Sequence, residues 1–157
     1  MHIVEQGSGV PLVLIPGVQG RWEYLEPAVE ALSQWCRVIT FSLCDEPSAM
    51  DQHGAAHTIT DYVAQVERVF DHCGLQRAIV CGVSFGGLIA IRFAAAHPGR
   101  VESLVLVSTP GPRWHLRPRH EIYVRWPYVF GPLFLLESPW RMRREIASAF
   151  PRWGDRL

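Results

Sequence analysis

Residues 82 to 87 read Gly82-Val83-Ser84-Phe85-Gly86-Gly87, a G-x-S-x-G followed at once by another glycine. A serine in this setting becomes a nucleophile when it stands on a tight, strained strand-to-helix turn, which lifts its hydroxyl above the sheet edge. The following helix then points its positive end at any anion that forms. The chemistry this arrangement suits is attack on a carbonyl carbon, with backbone amides holding the oxygen as it gains charge. Side chains at positions 82 and 86 are expected to collide across the turn, which accounts for glycine at both. The competing reading is a glycine-rich turn that only packs a helix against a strand. The flanking residues decide between the two.

Ala78-Ile79-Val80-Cys81 reads as a strand before the motif, and Phe85 to Ala96 as a helix after it, ended by His97-Pro98-Gly99. A second glycine turn, Pro16-Gly17-Val18-Gln19-Gly20, directly follows the apolar run Val10 to Ile15, which suits a strand buried on both faces. Leu25, Val29, Leu32 and Trp35 recur at helical spacing, and Arg37 to Phe41 is β-branched and strand-like. The clearest helix places Ile59, Tyr62, Val63, Val66, Val69, Phe70 and Cys73 on one face, with Thr58 or Thr60 to cap it and Gly74 to stop it. Ser103 to Val107 reads as a last strand. Apolar strands alternating with helices predict a three-layer α/β/α, doubly wound, mostly parallel sheet.

These two turns and the order of elements around them resemble the α/β-hydrolase fold family over residues 1 to about 112. The resemblance implies a serine hydrolase with Ser84 as nucleophile and the backbone amides of Val18 and Phe85 as oxyanion donors, framed by Gly17, Gly82, Gly86 and Gly87. Pro16 stands where many relatives have His, which leaves the backbone donor intact. Such enzymes use no metal and usually no organic cofactor, and a small apolar ester or related carbonyl compound is the implied partner.

A nucleophilic serine also needs a His to take its proton and an acid to orient that His. The family sets the acid after a seventh strand and the His after an eighth, so a chain of 157 residues is expected to be C-terminally incomplete and impaired on its own. Glu102 precedes His115 and His120 in the right order, but it begins a parallel strand and so belongs roughly 15 to 20 Å from the edge where Ser84 emerges. Asp45 and Glu46 follow a strand on the correct edge. A non-catalytic binding module that keeps the turn and lacks a triad is the alternative function.

Composition bounds what else the chain does. All fifteen basic residues are Arg, which removes Schiff-base chemistry and the lysine of a phosphate loop. Residues 1 to 112 hold six Arg against eleven acids, whereas residues 113 to 157 hold nine against four, with four of the six Trp. A boundary near Pro110-Gly111-Pro112 is therefore expected, and the family resemblance implies a hydrolase core over 1–112 and the start of a helical cap over 113–157, which carries Trp114, Tyr123, Trp126, Tyr128, Phe130, Phe134, Leu135, Leu136 and Trp140. Pro127, Gly131 and Pro132 break that stretch too often for membrane insertion, and no nucleic-acid-binding motif is recognisable.

His53 and His57 lack the Glu of a metalloprotease helix, so no metal is expected. Cys36, Cys44, Cys73 and Cys81 form no C-x-x-C pair and read as buried thiols, and no leader is visible at Met1 to Gly7, so a cytoplasmic setting is expected. The uncovered edge at Ser103 to Val107 is a candidate for self-association.

Overall fold

The structure, a computed structural model, describes residues 2–43, 58–113, 115, 118–126, 128–133, 135–137 and 139–140. Ile3–Gln6 (β1), Pro11–Ile15 (β2), Arg37–Phe41 (β3), Ala78–Val83 (β4) and Val101–Val107 (β5) form one sheet in the order β1-β3-β2-β4-β5. β2 lies parallel to both β3 and β4, and β4 parallel to β5. Glu26–Leu32 (α1), Ile59–His72 (α2) and Phe85–Ala96 (α3) supply the crossovers.

Strand alternation sorts the core onto two faces. Leu12 and Leu14 of β2 join Val38 and Cys81 beneath Val29 of α1. Val13 and Ile15 point the other way and join Val63, Val66, Val69 and Phe70 of α2 with Ile89, Ala90 and Phe93 of α3. One helix covers one face and two cover the other, which is why the strands are apolar at successive positions rather than alternate ones. α2 begins with a capping box in which the Asp61 carboxylate accepts the Thr58 amide at 2.7 Å, and Gly74 beyond its end has a φ of 65°.

Three local expectations change. Trp35 does not share the face of α1, because the helix ends at Leu32 and the indole is 82% exposed. β5 begins at Val101, with a register shift opposite Ala78 and Ile79. β1 is an addition to the sequence reading: it runs antiparallel to β3, from Ile3 opposite Phe41 to Gln6 opposite Val38. Arg37 donates to both Glu5 oxygens, at 2.8 and 3.0 Å, and this pairing holds the Glu5 carboxyl below the usual carboxylate range. Both side chains are partly exposed, so the pair contributes below about 1 kcal/mol and mainly sets register.

The chain divides into two compact units, Met1–Pro112 and Arg113–Leu157. Within the second, Pro118–Arg125 (α4) is followed by further helical residues over 128–133 and 135–137. Tyr123 donates to Glu137 at 3.2 Å, while Tyr128, Leu136 and Trp140 are exposed. Trp114 and Phe134 lie outside the described residues. Among the described residues no helix is long and apolar enough to cross a membrane.

Candidate active site

Parallel strands deliver their carboxyl ends to one edge, and that edge is where an open α/β sheet places its chemistry. Here the turn after β2, the Ser42-Leu43 exit of β3, Ser84 after β4 and Ser108-Thr109 after β5 all meet. Backbone bonds tie neighbouring exits together. The Leu43 amide donates to the Gly20 carbonyl at 2.7 Å, and the Ser84 amide donates to the Val107 carbonyl at 2.8 Å.

Ser84 has a φ of 53° and a ψ of −115°, a left-handed conformation that costs a residue with a side chain about 1–3 kcal/mol. The surrounding structure holds it there by close packing around glycine. A Cβ at position 82 would lie 2.5 Å from the Gly87 Cα and 2.6 Å from the Gly86 carbonyl carbon, so only glycine fits. The reason for glycine at 86 differs from the expected clash with position 82. A Cβ there would overlap the carbonyl oxygens of Ile15 and Pro16 and approach the Ile15 carbonyl carbon to 2.9 Å. Gly86 therefore seats the first turn of α3 directly on the end of β2. The two sequence motifs, 66 positions apart from Gly20 to Gly86, are in contact through this glycine and not merely at the same edge.

Gly17 is placed beside the serine. A methyl group at 17 would stand 3.6 Å from the Ser84 Cβ and 3.5 Å from the Val83 carbonyl oxygen, ordinary contact distances. The conformational demand of this turn falls instead on Gly20, whose φ is 71° and whose amide closes the turn on the Gly17 carbonyl at 2.8 Å. Val18 is a central residue of that turn and is 79% exposed. Phe85 opens α3, so its N–H is among those a helix start leaves without an intrahelical acceptor. The Phe85 ring meets Tyr62 of α2 edge-on at 5.4 Å, which fixes the helix start against its neighbour.

The candidate proton-transfer groups are spread along the chain. Glu102 stands at the start of β5, the far end from Val107, whose carbonyl holds the Ser84 amide. His115 is exposed and His120 lies on α4, its ring 6.2 Å from Tyr123. Asp45, Glu46, His53 and His57 lie outside the described residues, as does Cys44. Among the described residues of the first unit no imidazole or carboxylate is hydrogen-bonded to the Ser84 hydroxyl, and among all the described residues no cluster of His, Cys, Asp or Glu could hold a metal ion. His97 ends α3 and meets Glu67 of α2 at 2.5 Å. Cys81 is buried, and burial pushes its thiol up, so it is an inert core group; Cys36 and Cys73 are only half-buried.

Ser108 and Thr109 escaped the sequence reading. Their order, a serine and a threonine before Pro110 at the end of an apolar strand, marks a strand exit but carries no motif. Only the register, which sets Val83 opposite Val107, brings them beside Ser84.

Comparison with known proteins gives a consistent result. Residues 10–154 match a family described as alpha/beta hydrolase fold. A putative carbamate hydrolase, RutD, of Azorhizobium caulinodans is 32% identical over 102 residues, 65% of this chain and 38% of that protein. A 2-hydroxy-6-oxo-2,4-heptadienoate hydrolase of Pseudomonas putida is 32% identical over 119 residues, 73% of this chain and 43% of that protein. Among solved structures, one from work on carboxylesterases of Nitrososphaera gargenis superposes with a TM-score of 0.69 at 26% identity, covering 82% of this chain and 48% of that one. The chain thus spans less than half the length of each of these relatives.

Proposed function

The chain belongs to the alpha/beta hydrolase fold family, and from that premise we propose that it carries the nucleophile of a serine hydrolase, with Ser84 attacking a carbonyl carbon. The observation that carries this reading is the contact between the two turns: Gly86 rests on the carbonyls that lead into Pro16–Gly20, and Gly17 lies against Ser84. In this reading that contact serves to gather the strained serine and the amides of Val18 and Phe85 around one carbonyl group. In the proposed reaction the Ser84 Oγ bonds to the carbonyl carbon and the carbonyl π pair moves onto oxygen, where the two amides receive it. As the pair on that oxygen re-forms the carbonyl, the ester bond breaks and the alcohol departs with its bonding pair and the proton given up by Ser84; water then cleaves the acyl-serine to the carboxylic acid and returns a proton to the Ser84 Oγ.

The substrate class proposed is a small apolar ester or related carbonyl compound. The names of the relatives, a carbamate hydrolase, a dienoate hydrolase and carboxylesterases, share attack at a carbonyl carbon and so support that class. No described base of the first unit reaches the Ser84 hydroxyl, which favours slow turnover by this chain and, as a second reading, a binding module without catalysis. The three cysteines among the described residues are free, which suits the reducing, cytoplasmic setting that goes with either reading. We further propose that the edge of β5 is a site of self-association.

A fluorophosphonate probe with added imidazole as an external base separates the two readings of the site. Intact-mass analysis is expected to show one slow adduct that imidazole accelerates, mapping to Ser84 and missing from Ser84→Ala. The exposed Ser8, on no such turn, is an internal control that should label about a thousandfold more slowly, the scale of an oxyanion hole acting alone. Adducts spread evenly over the serines, or unchanged in Ser84→Ala, would leave only the binding module.

A further inference from the structure

The parallel ladder between β4 and β5 sets Gly82 opposite Leu106 and Val83 opposite Val107. One step further along both strands come Ser84 and Ser108, and both have left-handed backbones, with φ of 53° and 50°. They are the two described residues other than glycine that do so. β5 therefore leaves the sheet at the same level as β4 and with a matching kink. The Ser84 amide, bonded to the Val107 carbonyl at 2.8 Å, locks the two kinks together.

Thr109 follows, and its Oγ1 is buried with no hydrogen-bond partner among the described residues. The hydroxyl is aimed at the elbow. A Cβ at Gly87 would overlap Thr109 Oγ1 and lie 2.7 Å from its Cγ2, so the threonine side chain presses on the Gly87 Cα with only hydrogen between them. Three restrictions stiffen this contact. Ser108 is held left-handed, Thr109 is β-branched and so limited at χ1, and Pro110 confines the backbone of the residue before it. A buried hydroxyl left unpaired is destabilising, and such groups persist in native structures where they serve a function.

We propose that Thr109 is a positioning residue for Ser84: the exit of β5 forms a second elbow whose stiff side chain braces the first turn of α3 from the side opposite β2. Gly86 is seated on the Ile15 and Pro16 carbonyls, Gly87 is braced by Thr109, and Ser84 is pinned by Val107, so the height of the serine above the sheet is set from both neighbouring strands. The role assigned to Thr109 in reactivity rests on Ser84 being the nucleophile, while the bracing itself does not.

Thr109→Val and Thr109→Ser separate bracing from stability. Valine removes the unpaired hydroxyl, which offsets the crowding of its bulkier methyl against Gly87, so its thermal midpoint should stay close to that of the wild type while Gly87 is displaced. The maximal labelling rate at Ser84 should then fall about tenfold with probe affinity unchanged, given that a displacement of about 1 Å costs roughly a hundredfold. Serine keeps the oxygen on Gly87 but lacks the methyl branch that stiffens it, so it should recover part of the rate lost in Thr109→Val. Amide hydrogen exchange over residues 84–88 reads the brace directly and should be faster in Thr109→Val than in the wild type. Labelling and exchange both equal to wild type in Thr109→Val would overturn the proposal. Should Ser84 fail to label in the wild type, the nucleophile reading falls, and exchange alone decides the brace: faster in Thr109→Val supports it, unchanged overturns it.

Discussion

Gly86→Ala is expected to destabilise the chain by about 3 kcal/mol, the upper end of overpacking costs, and to abolish labelling at Ser84. The magnitude follows from what the new methyl meets. The Ile15 and Pro16 carbonyl oxygens are backbone, fixed at the end of the central strand β2, which is hydrogen-bonded on both sides by β3 and β4. Neither can yield as a flexible side chain would, so α3 must lift from the sheet. Lifting α3 strips cover from Phe93, Ile89 and Ala90, all fully buried, and draws Ser84 away from the turn holding Val18.

Gly17→Ala is the matched control. Its methyl meets Ser84 Cβ and the Val83 carbonyl oxygen at ordinary contact distances, so the urea midpoint should hold while labelling slows through crowding at the serine. Urea denaturation of both variants measures the contrast, since a midpoint shift at constant slope reports stability. A Gly86→Ala chain as stable as wild type would mean that α3 is not seated on β2.

Much of this arrangement was legible in the sequence because local chemistry specifies it. The strand before Ser84, the helix after it and the glycines at 82 and 86 each carry a signal that spans a few residues. Alternation of strands and helices then leaves few topologies open, which is how the parallel core emerged. What escaped depends on partners distant in the chain. β1 is four residues long and takes its register from Arg37, 32 positions beyond Glu5. The reason for glycine at 86 lies in Ile15 and Pro16, not across its own turn. Trp35 continues a helical spacing that the chain abandons at Leu32, since spacing marks a face without stating where it ends. Thr109 and Ser108 acquire meaning only from the β4–β5 register, which no local pattern encodes.

The two edges of the sheet lead to the second large effect: the chain is expected to self-associate through β5, and paired lysines there should make it monomeric. β1 is a guarded edge, short and carrying the Glu5–Arg37 pair beside it. β5 has none of these devices. It runs seven residues with Glu102 as its sole charge, and Leu104, Val105, Leu106 and Val107 are 39–44% exposed. In register, Leu104 and Leu106 lie on the face of Val80 and Gly82, whereas Val105 and Val107 lie on the face of Cys81 and Val83. Apolar side chains are thus open on both faces of an edge whose outer N–H and C=O groups pair with no other strand among the described residues. Antiparallel pairing of two β5 strands would join two sheets without setting Glu102 against its own copy, if centred on Val105, which then faces its own copy. Val105→Lys with Leu106→Lys puts charge on both faces and opposes like charge to like charge across such a pair. Sedimentation velocity over a range of concentrations should show the wild type sedimenting faster as concentration rises and the double variant staying at the monomer value. A wild type that remains monomeric throughout would sink the proposed self-association, and a double variant that associates equally would place the contact elsewhere than on β5.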